Sequence, residues 1–192
     1  MKTLLSVAIM SLLFSTAYAQ NKVVTDKGHI SFFAKAPVAD VDARNERVKM
    51  ELNTKSGELL INMAMSDFRF KSEKMEKDAE KKYLETGKFT RANFSGKVEG
   101  NVNYKKAGSY PVIAIGKINV HGVEKNFKQK GIITVGDNGQ VKLQSNFTLA
   151  LKDFNIDIPE ILGKKMTEDN VKVTVLATLA EGSNDATSTK RK

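Results

Sequence analysis

The chain has 192 residues, 41% of them apolar and 28% charged, with a formal net charge of +9, two histidines and neither cysteine nor tryptophan. That length suits one core of ordinary size, and the missing cysteines exclude disulfide staples, thiolate metal sites and a cysteine-borne lipid anchor. The lysines are scattered and no aromatic-basic motif accompanies them, so a well-solvated surface is expected and nucleic acid is not.

Residues 1–19 read as a signal peptide. Met1-Lys2 is a short basic start, Leu4 to Phe14 is almost unbroken apolar sequence, and Ala17-Tyr18-Ala19 puts small residues where a signal peptidase reads. The apolar run is shorter than the roughly 20 residues that span a bilayer. Cleavage between Ala19 and Gln20 is therefore expected, leaving a periplasmic or secreted protein.

From Val23 onward the dominant period is two. Ile30, Phe32 and Ala34 share one face, as do Val48, Met50 and Leu52, and then Leu59, Ile61, Met63 and Met65. Further on come Phe94, Gly96 and Val98, followed by Val112, Ala114, Gly116, Ile118 and Val120. The cleanest row is Val141, Leu143, Ser145, Phe147, Leu149 and Leu151, with Lys142, Thr148 and Lys152 opposite. Val171, Val173, Val175, Ala177 and Leu179 form the last. Such one-sided alternation is the mark of antiparallel sheet with one face hidden. Lys55-Ser56-Gly57, Lys106-Ala107-Gly108 and Gly136-Asp137-Asn138-Gly139 supply hairpin chemistry, and Pro111 fits a strand start or an edge. About seven to nine strands favour a barrel or sandwich, and some eight close on an interior either just filled or able to hold a small ligand. The small residues Gly96, Ala114, Gly116 and Ser145 fit both outcomes.

One segment breaks the rhythm. Ser72 to Leu84 is rich in Glu, Lys, Met and Ala, with Ser72 placed as N-cap and Gly87 just past the end. Met75, Ala79 and Tyr83 form one apolar stripe, which predicts a single amphipathic helix that either covers core or acts as a lid over a barrel mouth. Residues 181–192 hold no apolar side chain larger than Ala and end in Lys190-Arg191-Lys192, so a disordered, basic-ended tail is expected.

Catalytic chemistry is hard to find. His29 and His121 belong to no Gly-x-Ser-x-Gly elbow, and two distant histidines without cysteine match no zinc spacing. Asp40-Val41-Asp42 lacks the rest of a calcium loop. No cofactor, no metal and no enzyme activity are expected.

Four stretches resemble the YceI-like family of polyisoprenoid- or lipid-binding periplasmic proteins. They are Gly28-His29-Ile30-Ser31-Phe32-Phe33-Ala34, Tyr83-Leu84-Glu85-Thr86-Gly87-Lys88-Phe89, Gly116-Lys117-Ile118-Asn119-Val120-His121-Gly122-Val123-Glu124-Lys125, and Phe147-Thr148-Leu149-Ala150-Leu151-Lys152-Asp153-Phe154-Asn155-Ile156. The likeness covers about residues 22–180 and looks closest to versions in Bacteroidetes-type bacteria. It implies an all-β fold over residues 20–180: a lipocalin-like, extended eight-stranded antiparallel β-barrel with one amphipathic helix near a barrel end. It also implies an elongated apolar ligand, a polyisoprenoid or other lipid, held for carriage, storage or sequestration. The expected ligand-binding residues are Ile30, Phe32, Met50, Ile61, Met63, Phe94, Val112, Ala114, Ile118, Leu143, Phe147, Leu149, Val173 and Val175, with Met75, Ala79 and Tyr83 on the lid helix. Transient contact with an anionic membrane surface and a homodimer are among the expected associations. The alternatives are a filled barrel serving as an envelope protein-interaction module, and a hydrolase or isomerase using His121 or His29.

Overall fold

The computed structural model describes residues 21–37, 39–157, 160–161, 164–165 and 169–182; the expected signal peptide and all but the first two residues of the expected tail lie outside the described residues. In chain order the strands are β1 (Lys22–Ala34), β2 (Val41–Asn53), β3 (Glu58–Ala64), β4 (Arg69–Phe70), β5 (Arg91–Glu99), β6 (Gly108–Val120), β7 (Val123–Val135), β8 (Val141–Ala150), β9 (Glu160–Ile161), β10 (Lys164–Lys165) and β11 (Asn170–Glu181). Antiparallel ladders run β1-β11-β8-β7-β6-β5-β3-β2, and β2 pairs back onto β1 from Lys22–Asn53 to Ala34–Val41. The result is a closed eight-stranded antiparallel barrel. Closure removes the free edges that an open sheet of this size would present. β4 adds a short strip on β2, and β9 with β10 forms a separate two-stranded ribbon.

Alternation does what the sequence predicts. Along β11, Val171, Val173, Val175, Ala177 and Leu179 are buried while Lys172, Leu176, Thr178 and Ala180 face water. Lysines and glutamates occupy the outward positions of most strands, so the barrel is apolar inside and charged outside, the reverse of a transmembrane barrel.

β2 departs from this pattern. Asn45 and Val48 both point inward although three residues apart, because β2 spends three residues where β1 spends two between Ile30–Asn45 and Gly28–Val48. This is a β-bulge, and it switches the inward parity of the strand. Asn45 is fully buried and holds the bulge together: its Nδ2 donates to the Ala64 carbonyl at 2.9 Å and its Oδ1 accepts from the Arg47 amide at 2.9 Å.

Pro111 lies inside β6 rather than at its start. The β5–β6 ladder ends at Glu99–Ile113, so Pro111 sits where β6 projects beyond β5 and a missing N–H costs no ladder bond. Gly96 and Gly116 pair across the same two strands. A Cβ on either would collide with the facing backbone, and one on Gly96 would also lie 2.7 Å from the Phe94 ring. These glycines make room for close strand approach and a large neighbour.

The helical segment is shorter and less regular than its composition suggests. Ser72 is the N-cap, its hydroxyl accepting from the Met75 amide at 3.2 Å, but regular helix (α1) spans only Glu73–Asp78. Ala79–Tyr83 then widens into a π turn, with the Leu84 amide donating to the Ala79 carbonyl at 2.7 Å. The left-handed residue past its end is Glu85 (φ 43°), not Gly87, so the expected glycine stop is displaced by two positions.

Candidate functional site

The barrel interior divides into two parts. At the end turned by residues 54–57, 100–107 and 136–140, Val48, Met50, Leu52, Ile133, Val135, Val141 and Leu179 interlock with almost no exposure. Tyr104 and Tyr110 pack against this cluster from below, Tyr110 donating its hydroxyl to the Lys106 carbonyl at 2.8 Å. Burial pushes the Tyr104 phenol above its ordinary pKa. This end is filled.

The other end, under α1, is hollow. A cavity of about 360 Å³ runs down from the helix, within the range of small-molecule sites. Ile30 and Phe32 of β1, Ile61 and Met63 of β3, and Phe94 of β5 line it. So do Val112, Ala114 and Ile118 of β6, Leu143, Phe147 and Leu149 of β8, and Val173 and Val175 of β11. Met75, Ala79 and Tyr83 face it from the helical segment, with Ala79 buried and the other two half-buried. Met50 does not line the cavity. Below the bulge its row turns into the filled end, where its methyl packs over Gly28; the β2 residue that reaches the cavity is Val41.

Sequence reasoning missed a second set of wall residues. Phe68 and Phe70 stack against Phe32 at ring-centroid distances of 5.2 and 5.7 Å. Phe127 of β7 joins Phe94 at 5.8 Å and Phe147 at 5.0 Å, closing an aromatic band across three strands. Leu151, Phe154 and Ile156 close the helical end from the turn after β8. The β7 row was hard to read because Lys125 and Gln129 share its inward parity with Phe127. Lys125 compensates by pairing with Asp153 at 2.9 Å and lying over the Phe154 ring. Strand length between two hairpin turns was the remaining clue.

His121 is a clamp in the β6–β7 turn. It takes a left-handed conformation (φ 52°) and is buried, with its ring 4.0 Å from that of Phe89. The Phe154 carbonyl, 3.0 Å away, can only accept, so Nδ1 carries a proton, and Nε2 faces the Glu85 carboxyl at 3.1 Å. Both nitrogens are thus engaged in tying three connections together. His29 lies on β1 between inward neighbours, beside an outer groove that includes Ile132 and Leu176. Among the described residues no group of three or more His, Cys, Asp or Glu could hold a metal ion.

Residues 20–179 match the model of the YceI-like domain. The chain belongs to the YceI-like family. No curated protein matches its sequence. Among solved structures, the YceI-like barrel resembles a polyisoprenoid binding domain from Saccharophagus degradans at 10% identity and a TM-score of 0.70, covering 85% of this chain and 99% of that one. BcnA of Burkholderia cenocepacia follows at 13% identity, TM-score 0.62, with 80% and 96% covered. The YCEI protein of Campylobacter jejuni gives 12%, 0.53, and coverages of 75% and 88%. At these identities the likeness establishes the barrel fold.

Proposed function

We propose that this protein is an exported, non-enzymatic carrier that holds an elongated apolar ligand, a polyisoprenoid or another lipid, inside its barrel for carriage, storage or sequestration. The observation that carries the reading is the apolar cavity itself. One half of the interior is close-packed while the other, built from the same strands, is left open and lined by Phe, Leu, Ile, Val and Met. A dry apolar void forgoes contacts on every wall, and each ligand methylene buried there contributes about 0.8 kcal/mol. Binding of this kind requires no cofactor. The name of the Saccharophagus domain supports the polyisoprenoid class. The basic start, apolar run and Ala17-Tyr18-Ala19 support export with a mature N-terminus at Gln20. Transient contact with an anionic membrane surface and homodimerisation belong to the same reading.

Native mass spectrometry of protein taken from its own envelope tests it. A long apolar molecule released on unfolding, with a polypeptide mass beginning at Gln20, is the expected result. An empty compact barrel would favour the interaction module instead.

A further inference from the structure

The barrel wall is not equally closed all round. β6 and β7 pair without a break from Gly108–Val135 to Val120–Val123, whereas β7 and β8 pair only from Ile132–Gln144 to Val135–Val141. Between the strands above that point lies an unladdered seam. It is clasped at both ends: the Ser145 hydroxyl donates to the Lys130 carbonyl at 2.7 Å, and Lys125 meets Asp153 at 2.9 Å. Inside the seam stand the rings of Phe127 and Phe147 and the side chain of Gln129, which lines the cavity and has no hydrogen-bond partner among the described residues. Lys130, Gly131, Gln144 and Ser145 carry the cavity lining out to the seam itself.

The chemistry of this window follows from strand parity. The Lys130 carbonyl points at β8, and in an antiparallel strand the N–H and C=O of one residue point the same way, alternating along the chain. The main-chain groups of Asn126 and Lys128 therefore face the seam as well, without ladder partners. Their side chains stand on the outer face, where Lys128 and Lys130 are exposed and in no ion pair among the described residues. Unpaired amide donors thus lie beside two free ammonium groups, directly outside an apolar cavity.

We infer that the window between β7 and β8 is a subsite for the anionic head, phosphate or carboxylate, of a long-chain amphiphile whose tail occupies the cavity. The head accepts from Gln129 and the seam-facing amides and is flanked by Lys128 and Lys130, while Phe127 and Phe147 separate head from tail. The inference rests on the carrier reading but places the head at the side of the barrel instead of under α1.

The test measures binding of three probes with one chain length, hexadecanol, palmitate and hexadecyl phosphate, to the parent, to a Lys128→Gln/Lys130→Gln double variant and to Lys74→Gln. Lys74 lines the cavity at the helix-covered end. The parent should bind both anions at least about tenfold tighter than the alcohol, as charge-assisted hydrogen bonds require. The seam variant should lose that advantage and keep the alcohol, Lys74→Gln should keep the parent's anion-over-alcohol ratio whatever it does to binding of all three probes, and the anion preference should fall with added salt. The ratio of the two anions tells a phosphate head from a carboxylate. Loss of the anion preference at Lys74→Gln with that of the seam variant unchanged would overturn the inference and move the head to the mouth. Alcohol binding with no gain for either anion would overturn the inference alone. Failure of the alcohol to bind the parent would overturn the carrier reading, and the inference with it.

Discussion

The two ends of this barrel are drawn from the same strands and obey the same alternation, yet one is solid and the other hollow. At the solid end large aliphatic side chains meet across the axis, and Ile133, Leu52, Met50 and Leu179 lose all contact with water. Towards α1 the rows interpose Ala34, Ala92 and Ala114 between larger residues, and the axis is left unfilled. The β2 bulge at Asn45 marks the boundary, since it hands the strand's inward face from Val48, Met50 and Leu52 to Ala43 and Val41. Stability is therefore concentrated at one end and capacity for a guest at the other, so substitutions at the two ends should fail in different ways.

The largest effect is expected at the solid end. Ile133→Ala leaves a cavity that its neighbours cannot collapse into, at a cost of about 2–5 kcal/mol. For a domain of this size that lowers Tm by roughly 2–4 °C per kcal/mol. Thermal unfolding followed by circular dichroism measures it, and a shift of less than about a degree would mean that this end is not close-packed.

Asn45→Ala strikes the boundary. It leaves the Ala64 carbonyl and the Arg47 amide without their side-chain partner in a part-buried place, worth about 0.5–1.5 kcal/mol for each bond. Because the bulge sets parity, this variant should also perturb the β2–β3 amides in hydrogen exchange, which Ile133→Ala should not do selectively.

At the hollow end the expected loss is of binding, not of stability. Ala114→Phe places a ring in the cavity and makes the open half resemble the filled one. Overpacking a full core costs about 1–3 kcal/mol, but here the space exists, so Tm should stay near that of the ligand-free parent while lipid occupancy falls away. The outward Lys117→Ala is the control. An Ala114→Phe variant that unfolds while Lys117→Ala does not would show the void to be smaller than its walls suggest.

These contrasts also mark what could be read from the sequence. Rows with one apolar residue in two were legible because their period is uninterrupted, as from Val171 to Leu179, or broken by a single small residue, as by Ser145 between Leu143 and Phe147. The upper half of β2 was not, since a bulge leaves no compositional trace and shifts every later side chain to the other face. The β7 wall was masked by two polar residues at inward positions, Gln129 and Lys125, the second of which pairs with Asp153 far away in sequence. The π turn after Asp78 was hidden for a different reason: helix propensity reports on composition and does not distinguish a regular turn from the wider one at Ala79–Tyr83. Local pattern gave the strands; the hollow depended on where those strands lose register.

The smallest effect concerns the helical cover. Asp78 lies at the cavity lip, accepts from Lys74 at 2.7 Å and pairs with Lys82 at 3.0 Å. Hydrogen bonds from these two lysines hold its carboxyl below the ordinary aspartate value. A depressed folded-state pKa stabilises the folded chain above the unfolded value of about 3.9, and that contribution disappears as pH falls through the folded value. The pair is solvent-accessible, so its effect is modest and screened by salt. Asp78→Asn should accordingly leave Tm almost unchanged at pH 7, and the small remaining difference from the parent should close as the pH drops below about 3.9. Its visible consequence is local: amides of residues 75–83 should exchange faster, and a bound lipid should leave sooner, while amides around Ile133 and Leu179 stay as protected as before. Equal acceleration at both ends would mean that the cover and the solid end open as one unit, and the division between them would not hold in motion.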